Sequence, residues 1–228
     1  MRLSGQQGNT FFGKKMELKR RMRTLAALTL VLLSYGGLVG CALRPAAAPV
    51  LVYDFGPGSL VAEPLQRTAP ASPLALPPVQ AIRALDSTAV YYRLLYNDAL
   101  QPKPYAQARW SMPVAELIDQ KLRYLLGQER SLINPADNLL VGQEVRILQM
   151  QLDEFSHTFE TPQRSIGLLK MRVTLVQPSM KGARLLAQRS FTVQQPSATP
   201  DAAGGVQALS AAVDVFANEL NAWLQQVP

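Results

Sequence analysis

Hydrophobic and polar residues change rhythm several times along this chain, and each change marks an element. Val50 to Phe55 is a β-branched and aromatic run halted by Gly56-Pro57-Gly58, which predicts a first strand. Residues 56–78 then hold six prolines and little periodicity, the mark of a long Pro-rich connection, read on that composition as a flexible insertion in preference to a partner-binding segment. Two apolar runs, 79–85 and 88–96, are split by Asp86-Ser87 and read as a hairpin. On the second run Val90, Tyr92, Leu94 and Tyr96 share one face, with Tyr91, Arg93 and Leu95 on the other. Residues 105–110 suit a short strand.

A period near 3.6 takes over after Ser111-Met112-Pro113, where Ser111 is the expected N-cap and Pro113 falls in the first turn. Val114, Leu117, Ile118, Leu122, Leu125 and Leu126 form one stripe, with Glu116, Asp119, Gln120, Lys121 and Arg123 off it. Period two returns over 143–155, 164–177 and 184–194. It is clearest where Leu169, Met171, Val173 and Leu175 alternate with Lys170, Arg172 and Thr174. Residues 157–163 and 178–182 carry the Pro, Gly and Ser of antiparallel turns. Asp201 is the expected N-cap of a last helix to about residue 225, with Val206, Leu209, Val213, Phe216, Leu220 and Trp223 in its seam. The expected fold is α+β: a single domain, a mainly antiparallel sheet of about six strands, and two amphipathic helices packed on it.

The N-terminal residues follow a different rule. Lys19, Arg20, Arg21 and Arg23 precede the apolar run 25–33, and Leu38-Val39-Gly40-Cys41 ends the segment. A basic start, a short apolar run and small residues before a cut are a secretory signal. The cysteine behind Gly40, with Leu38 three positions ahead of it, matches a bacterial lipobox, whose thiol takes the diacylglycerol. Residues 1–40 are therefore read as a lipoprotein signal peptide cleaved between Gly40 and Cys41, and residues 41–49 as the lipidated cysteine and its tether. The apolar stretch 25–39 is shorter than the roughly 20 residues that cross a bilayer, and no second cysteine exists to pair with Cys41. Met16 would start a signal of ordinary length. Arg20-Arg21 lacks the rest of a twin-arginine motif, which favours general secretion. The Ala- and Pro-rich tether spans roughly 25 Å if extended. Ala42, where an Asp would commonly retain such lipoproteins at the inner membrane, points to the periplasmic face of the outer membrane, with the inner membrane as the other destination.

Charge changes meaning once this segment is set aside. It holds seven of the 23 Lys and Arg and a single acid, Glu17 of 16, leaving 16 basic against 15 acidic residues in the mature chain. The basic balance belongs to targeting, and nucleic acid is not an expected partner. The 188 residues from Cys41 onward suit one domain, residues 50–228, held by packing without disulfides.

Candidate chemistry is sparse. The lone histidine, His157, falls in an expected exposed turn, away from any nucleophile elbow. Asp153 and Glu154 would point to opposite faces of a strand, unlike an acid–base dyad. Cys/His clusters, a dinucleotide turn and a P-loop are all missing, so no catalytic residue, metal or cofactor is expected. The contact candidates are aromatic: Tyr92, Tyr96 and Tyr105, with Trp110 read foremost as core. Arg93 is read as a structural ion pair, with Asp98 as partner, over a headgroup-phosphate ligand.

Several of these stretches together resemble a known family. The Val52-Tyr53-Asp54-Phe55-Gly56 strand, Tyr91-Tyr92-Arg93-Leu94-Leu95-Tyr96, Tyr105 with Trp110 and Pro113 before a Leu-rich helix, and the closing Leu220-Asn221-Ala222-Trp223 are similar to the ABC-type transport auxiliary lipoproteins, which include the paraquat-inducible protein C group. The resemblance covers nearly the whole mature chain. It implies a periplasm-facing, non-enzymatic lipoprotein partnered by an inner-membrane ABC transporter and a mammalian-cell-entry-type periplasmic protein. Together these move phospholipid or other hydrophobic molecules across the envelope, with several copies of the lipoprotein as a further form of assembly. The competing reading is a structural or assembly lipoprotein of the outer membrane or of cell-wall synthesis.

Overall fold

The computed structural model describes residues 48–57, 71–135, 145–179 and 182–227. Residues 1–40, read as a signal peptide, and Cys41 lie outside them, as does most of the Pro-rich stretch. The spine of the domain is β7 (Arg146–Thr161), followed by β8 (Arg164–Ser179) and β9 (Gly182–Pro196) in an antiparallel meander. Alternation dictates this part: Leu169, Met171, Val173 and Leu175 are buried while Lys170 and Arg172 are exposed. Thr161 Oγ1 accepts from the backbone of Arg164 at 3.1 Å to close the first turn, and Gly182 takes φ 115° in the second, where a side chain would be strained.

The other edge of β7 is covered by three short strands in succession, all parallel to it. β2 (Ala71–Ala75) pairs at Arg146 and Ile147, β3 (Gln80–Ala81) at Gln151 and Leu152, and β4 (Ala89–Leu94) at His157 to Phe159. β4 forms a hairpin with β5 (Asp98–Trp110), whose outer side takes β1 (Leu51–Tyr53) in parallel; β6 (Arg130–Ile133) lies beside β2. Among the described residues the sheet is thus mixed and nine-stranded, in place of the expected mainly antiparallel sheet of about six.

Each departure from the expected elements has a physical reason. Residues 71–75, inside the stretch read as a flexible connection, form β2 because Leu74, Ala75 and Leu76 are almost fully buried. Pro73 is tolerated at a register shift, where a missing N–H costs little. Residues 79–85 and 88–96 do not pair with each other. The chain instead curls after β3, with Leu85 N donating to Ile82 O at 2.8 Å, and the hairpin turn falls at residues 95–97. β5 is far longer than residues 105–110; Pro102 and Pro104 masked its beginning. Ser111 does not cap the first helix, since Pro113 holds the N-cap position without a side-chain bond.

That helix, α1 (Val114–Gly127), and the last one, α2 (Ala202–Gln226), join a single hydrophobic core with the sheet. The expected seam of α2 is buried throughout, and Phe216 stands edge-on to Phe191 of β9 at 5.3 Å between ring centroids. Burying side chains of this size is worth about 1.5–3 kcal/mol each before entropy is charged against it. Lys121 of α1 bridges to Asp214 of α2 at 2.8 Å, and Arg130 Nη2 donates to Asn221 Oδ1 at 2.6 Å. Asp201 caps α2 as expected, accepting from Gly204 N at 2.8 Å.

Candidate functional site

Two of the contact candidates, Tyr92 and Tyr105, meet at one end of the sheet, where β4 meets β5, β7 turns into β8 and α2 begins. Tyr92 of β4 lies beside His157 of β7 in register, and its ring stacks at a tilt on Tyr105, 4.6 Å between centroids. Tyr105 Oη stands 2.8 Å from His157 Nδ1, and His157 Nε2 stands 2.7 Å from Ser165 Oγ of β8. One ring nitrogen donates to its hydroxyl and the other accepts. Phe159 closes the group, 4.4 Å from the imidazole and 6.2 Å from Tyr92.

His157 is therefore not in an exposed turn. It is fully buried inside β7, because the strand runs six residues beyond residue 155. Polar Ser156, His157 and Thr158 disguised a strand as a turn; the alternation of Phe155, His157 and Phe159 was the available signal. Burial pushes the imidazole down to about 4, against a smaller opposing pull from Asp201. The α2 N-terminus lies against the ring and also disfavours a cation there. Burial likewise pushes the Tyr105 hydroxyl up, with Tyr92 and Asp201 adding to the effect.

The helix reaches this ring only because residue 205 is glycine. A Cβ at Gly205 would overlap Nδ1 of His157, and a Cβ at Gly167 of β8 would stand 2.6 Å from the backbone of Ala208 and Leu209. Two glycines on facing elements thus let α2 lie directly on the sheet. The Ser165–His157 pair has the spacing of a nucleophile and its base, but both side chains are buried, the imidazole directly beneath Gly205. The arrangement pins β5, β7, β8 and α2 together.

Arg93 forms a structural ion pair, but with Glu154 instead of Asp98. Nε and Nη2 each donate to one carboxylate oxygen at 3.0 Å, and Nη1 donates to Ala99 O at 3.2 Å. Asp153 pairs separately with Arg172 at 3.1 Å. Trp110 is core, 2% exposed, edge-on to Phe55 at 5.4 Å. Tyr96 alone among the aromatic candidates is open to solvent, half exposed at the β4–β5 turn beside Leu95, with Leu100 nearby on β5 at 89% exposed. Sequence reading missed Leu100, because a lone Leu near prolines carries no periodicity. Among the described residues no group of three or more His, Cys, Asp or Glu could hold a metal ion, and no helix is long and apolar enough to cross a membrane.

Comparison with known proteins places this geometry. The sequence model described as ABC-type transport auxiliary lipoprotein component matches residues 57–221. The crystal structure of protein XCC0632 from Xanthomonas campestris is similar at a TM-score of 0.55 and 18% identity, over 78% of this chain and 88% of that one. The crystal structure of an uncharacterized protein is similar at 0.53 and 10% identity, over 77% and 99%. These likenesses establish a shared fold. Among curated proteins none matches the sequence.

Proposed function

Because the chain belongs to the family of ABC-type transport auxiliary lipoprotein components, we propose that it is the lipid-anchored, periplasm-facing member of an ABC transport system that moves phospholipid or other hydrophobic molecules across the envelope. Its partners are an inner-membrane ABC transporter and a periplasmic protein of the mammalian-cell-entry type. The observation that carries this reading is the match over residues 57–221, which runs from the Pro-rich stretch to the last turns of α2. The lipobox ending in Cys41 supports it independently, and Ala42 favours the outer membrane as destination.

The role proposed for the domain is mechanical and adhesive. Its one histidine, His157, is buried in a packing role, and on this reading the energy of transport enters through the partner ATPase. Crosslinking in native membranes followed by mass spectrometry tests the reading. Recovery of a permease, its ATPase and a periplasmic lipid-binding subunit is the expected result. Recovery of cell-wall synthases or outer-membrane assembly factors alone would replace it with the scaffold reading.

A further inference from the structure

The exposed apolar side chains of the described residues are not scattered evenly, and three of them, Leu95, Tyr96 and Leu100, crowd the tip of one hairpin. The tip is built to hold its shape. Asn97 N donates to Leu94 O at 3.1 Å, Leu95 N to Phe159 O at 2.9 Å, and Leu100 N to Asp98 Oδ1 at 2.9 Å. A shaped projection that shows two leucines and a tyrosine to water gains by leaving it. We propose that this tip is a second membrane contact, seated in the headgroup layer of the bilayer that holds the lipid anchor.

Chain direction and chain length favour a bilayer as the occupant. β1 is parallel to β5, with Leu51 beside Ala108, so the N-terminal end of β1 points toward the end of the sheet where β5 begins and the tip projects. Leu51 lies ten positions beyond Cys41, a reach of at most about 33–36 Å. Along the sheet β4 pairs Ala89 with Arg109 and Leu94 with Asp98, so five strand residues, about 17 Å, separate the Ala108 end of β5 from the tip. A membrane held by Cys41 is therefore within reach of the tip. The composition suits shallow seating: a tyrosine prefers the interface, where its hydroxyl stays wet, and Asp98 at the base of the turn limits depth. Lipid on Cys41 provides residence on the membrane, while the tip fixes the tilt of the domain upon it. The inference rests on the reading of Cys41 as the anchor.

Lipidated full-length chain, purified with its anchor and reconstituted in phosphatidylethanolamine–phosphatidylglycerol vesicles with brominated acyl chains, tests this in two readouts. Flotation reports the anchor, and quenching of an added tryptophan reports the tip. Tyr96→Trp is compared with Leu185→Trp, an exposed position near the β8–β9 turn at the far end of the sheet; Trp110 and Trp223 are the same in both. The inference requires that the chain float and that bromination remove the added emission of Tyr96→Trp but not that of Leu185→Trp. A floating chain with neither position quenched, or with both quenched alike, overturns it while leaving the anchor intact. Emission from Tyr96→Trp that tracks protein concentration in detergent, and not bromination, would assign the tip to a second copy and equally overturn it. A chain that does not float removes the anchor reading and this inference with it.

Discussion

The two flanks of β7 are built by opposite means. On one, β8 and β9 follow within a few residues each, and every pairing closes a short loop. On the other, β2, β3 and β4 arrive from the earlier part of the chain and cover the edge piecemeal, each contributing two or three paired residues. Local closure costs little chain entropy, whereas distant pairings must be sustained by side chains. The first flank is accordingly clamped by the long α2, and the second is stitched by single devices: the Tyr105–His157–Ser165 chain, the Arg93–Glu154 pair and Leu74 in the core. The stitched flank is also the one that shows its apolar tip to solvent. The long continuous pairings lie in the meander, and the exposed apolar tip in the patchwork.

The sharpest way to break this contrast is to lift α2 from the meander. Gly205→Ala forces a methyl group into the His157 ring, and we expect a loss of about 3 kcal/mol or more, roughly 6–12 °C in Tm by thermal denaturation. Combining it with His157→Ala should cost less than the sum of the two single changes, because the second opens the space that the first requires. His157→Ala alone leaves the Tyr105 and Ser165 hydroxyls short of a partner and should cost about 2–4 kcal/mol.

Acid probes the same pin. The imidazole is held near 4 in the fold against an ordinary value of 6.5, so between those values the unfolded chain binds the proton more readily. Stability should be complete above about pH 6.5, fall by at most roughly 3 kcal/mol as pH drops toward 4, and lose nothing further from this group below that. Chemical denaturation across this window checks it, and His157→Ala should lack that component of the slope. Arg93→Ala separates β4 from β7 at a half-buried pair and should cost about 1 kcal/mol. Tyr96→Ser, on the open tip, should change stability by less than about 0.5 kcal/mol; a larger fall would mean that the tip belongs to the core.

Legibility in the sequence follows the same division. The alternation of β8, the seam of α2 and the cap at Asp201 are each set by one repeating environment, so a pattern of residues is enough to find them. β2 and β3 are five and two residues long, too short for any period to show, and their identity comes from β7, which lies far along the chain. Tyr92, Arg93, Tyr105 and Trp110 could be singled out as side chains with something to do, but not their partners. Glu154 and His157 are brought to them by a parallel register that no local signal encodes. Histidine within Ser156-His157-Thr158 looked like a turn because polarity is a poor guide where a strand buries a hydrogen-bonded cluster.

The placement of β1 bears on how the domain carries load. Any tension that arrives through the N-terminal chain enters at Leu51–Tyr53, a three-residue strand lying parallel to β5 at the margin of the sheet. A pull along that strand shears its bonds to β5, together with the 2.8 Å bond from Ser111 N to Tyr53 O, so all of them resist at once. When they yield, a short segment peels away and lengthens the leash while β7, β8, β9 and α2 stay folded. With residues 41–49 as the proposed tether, β1 is placed to act as a fuse between it and the core.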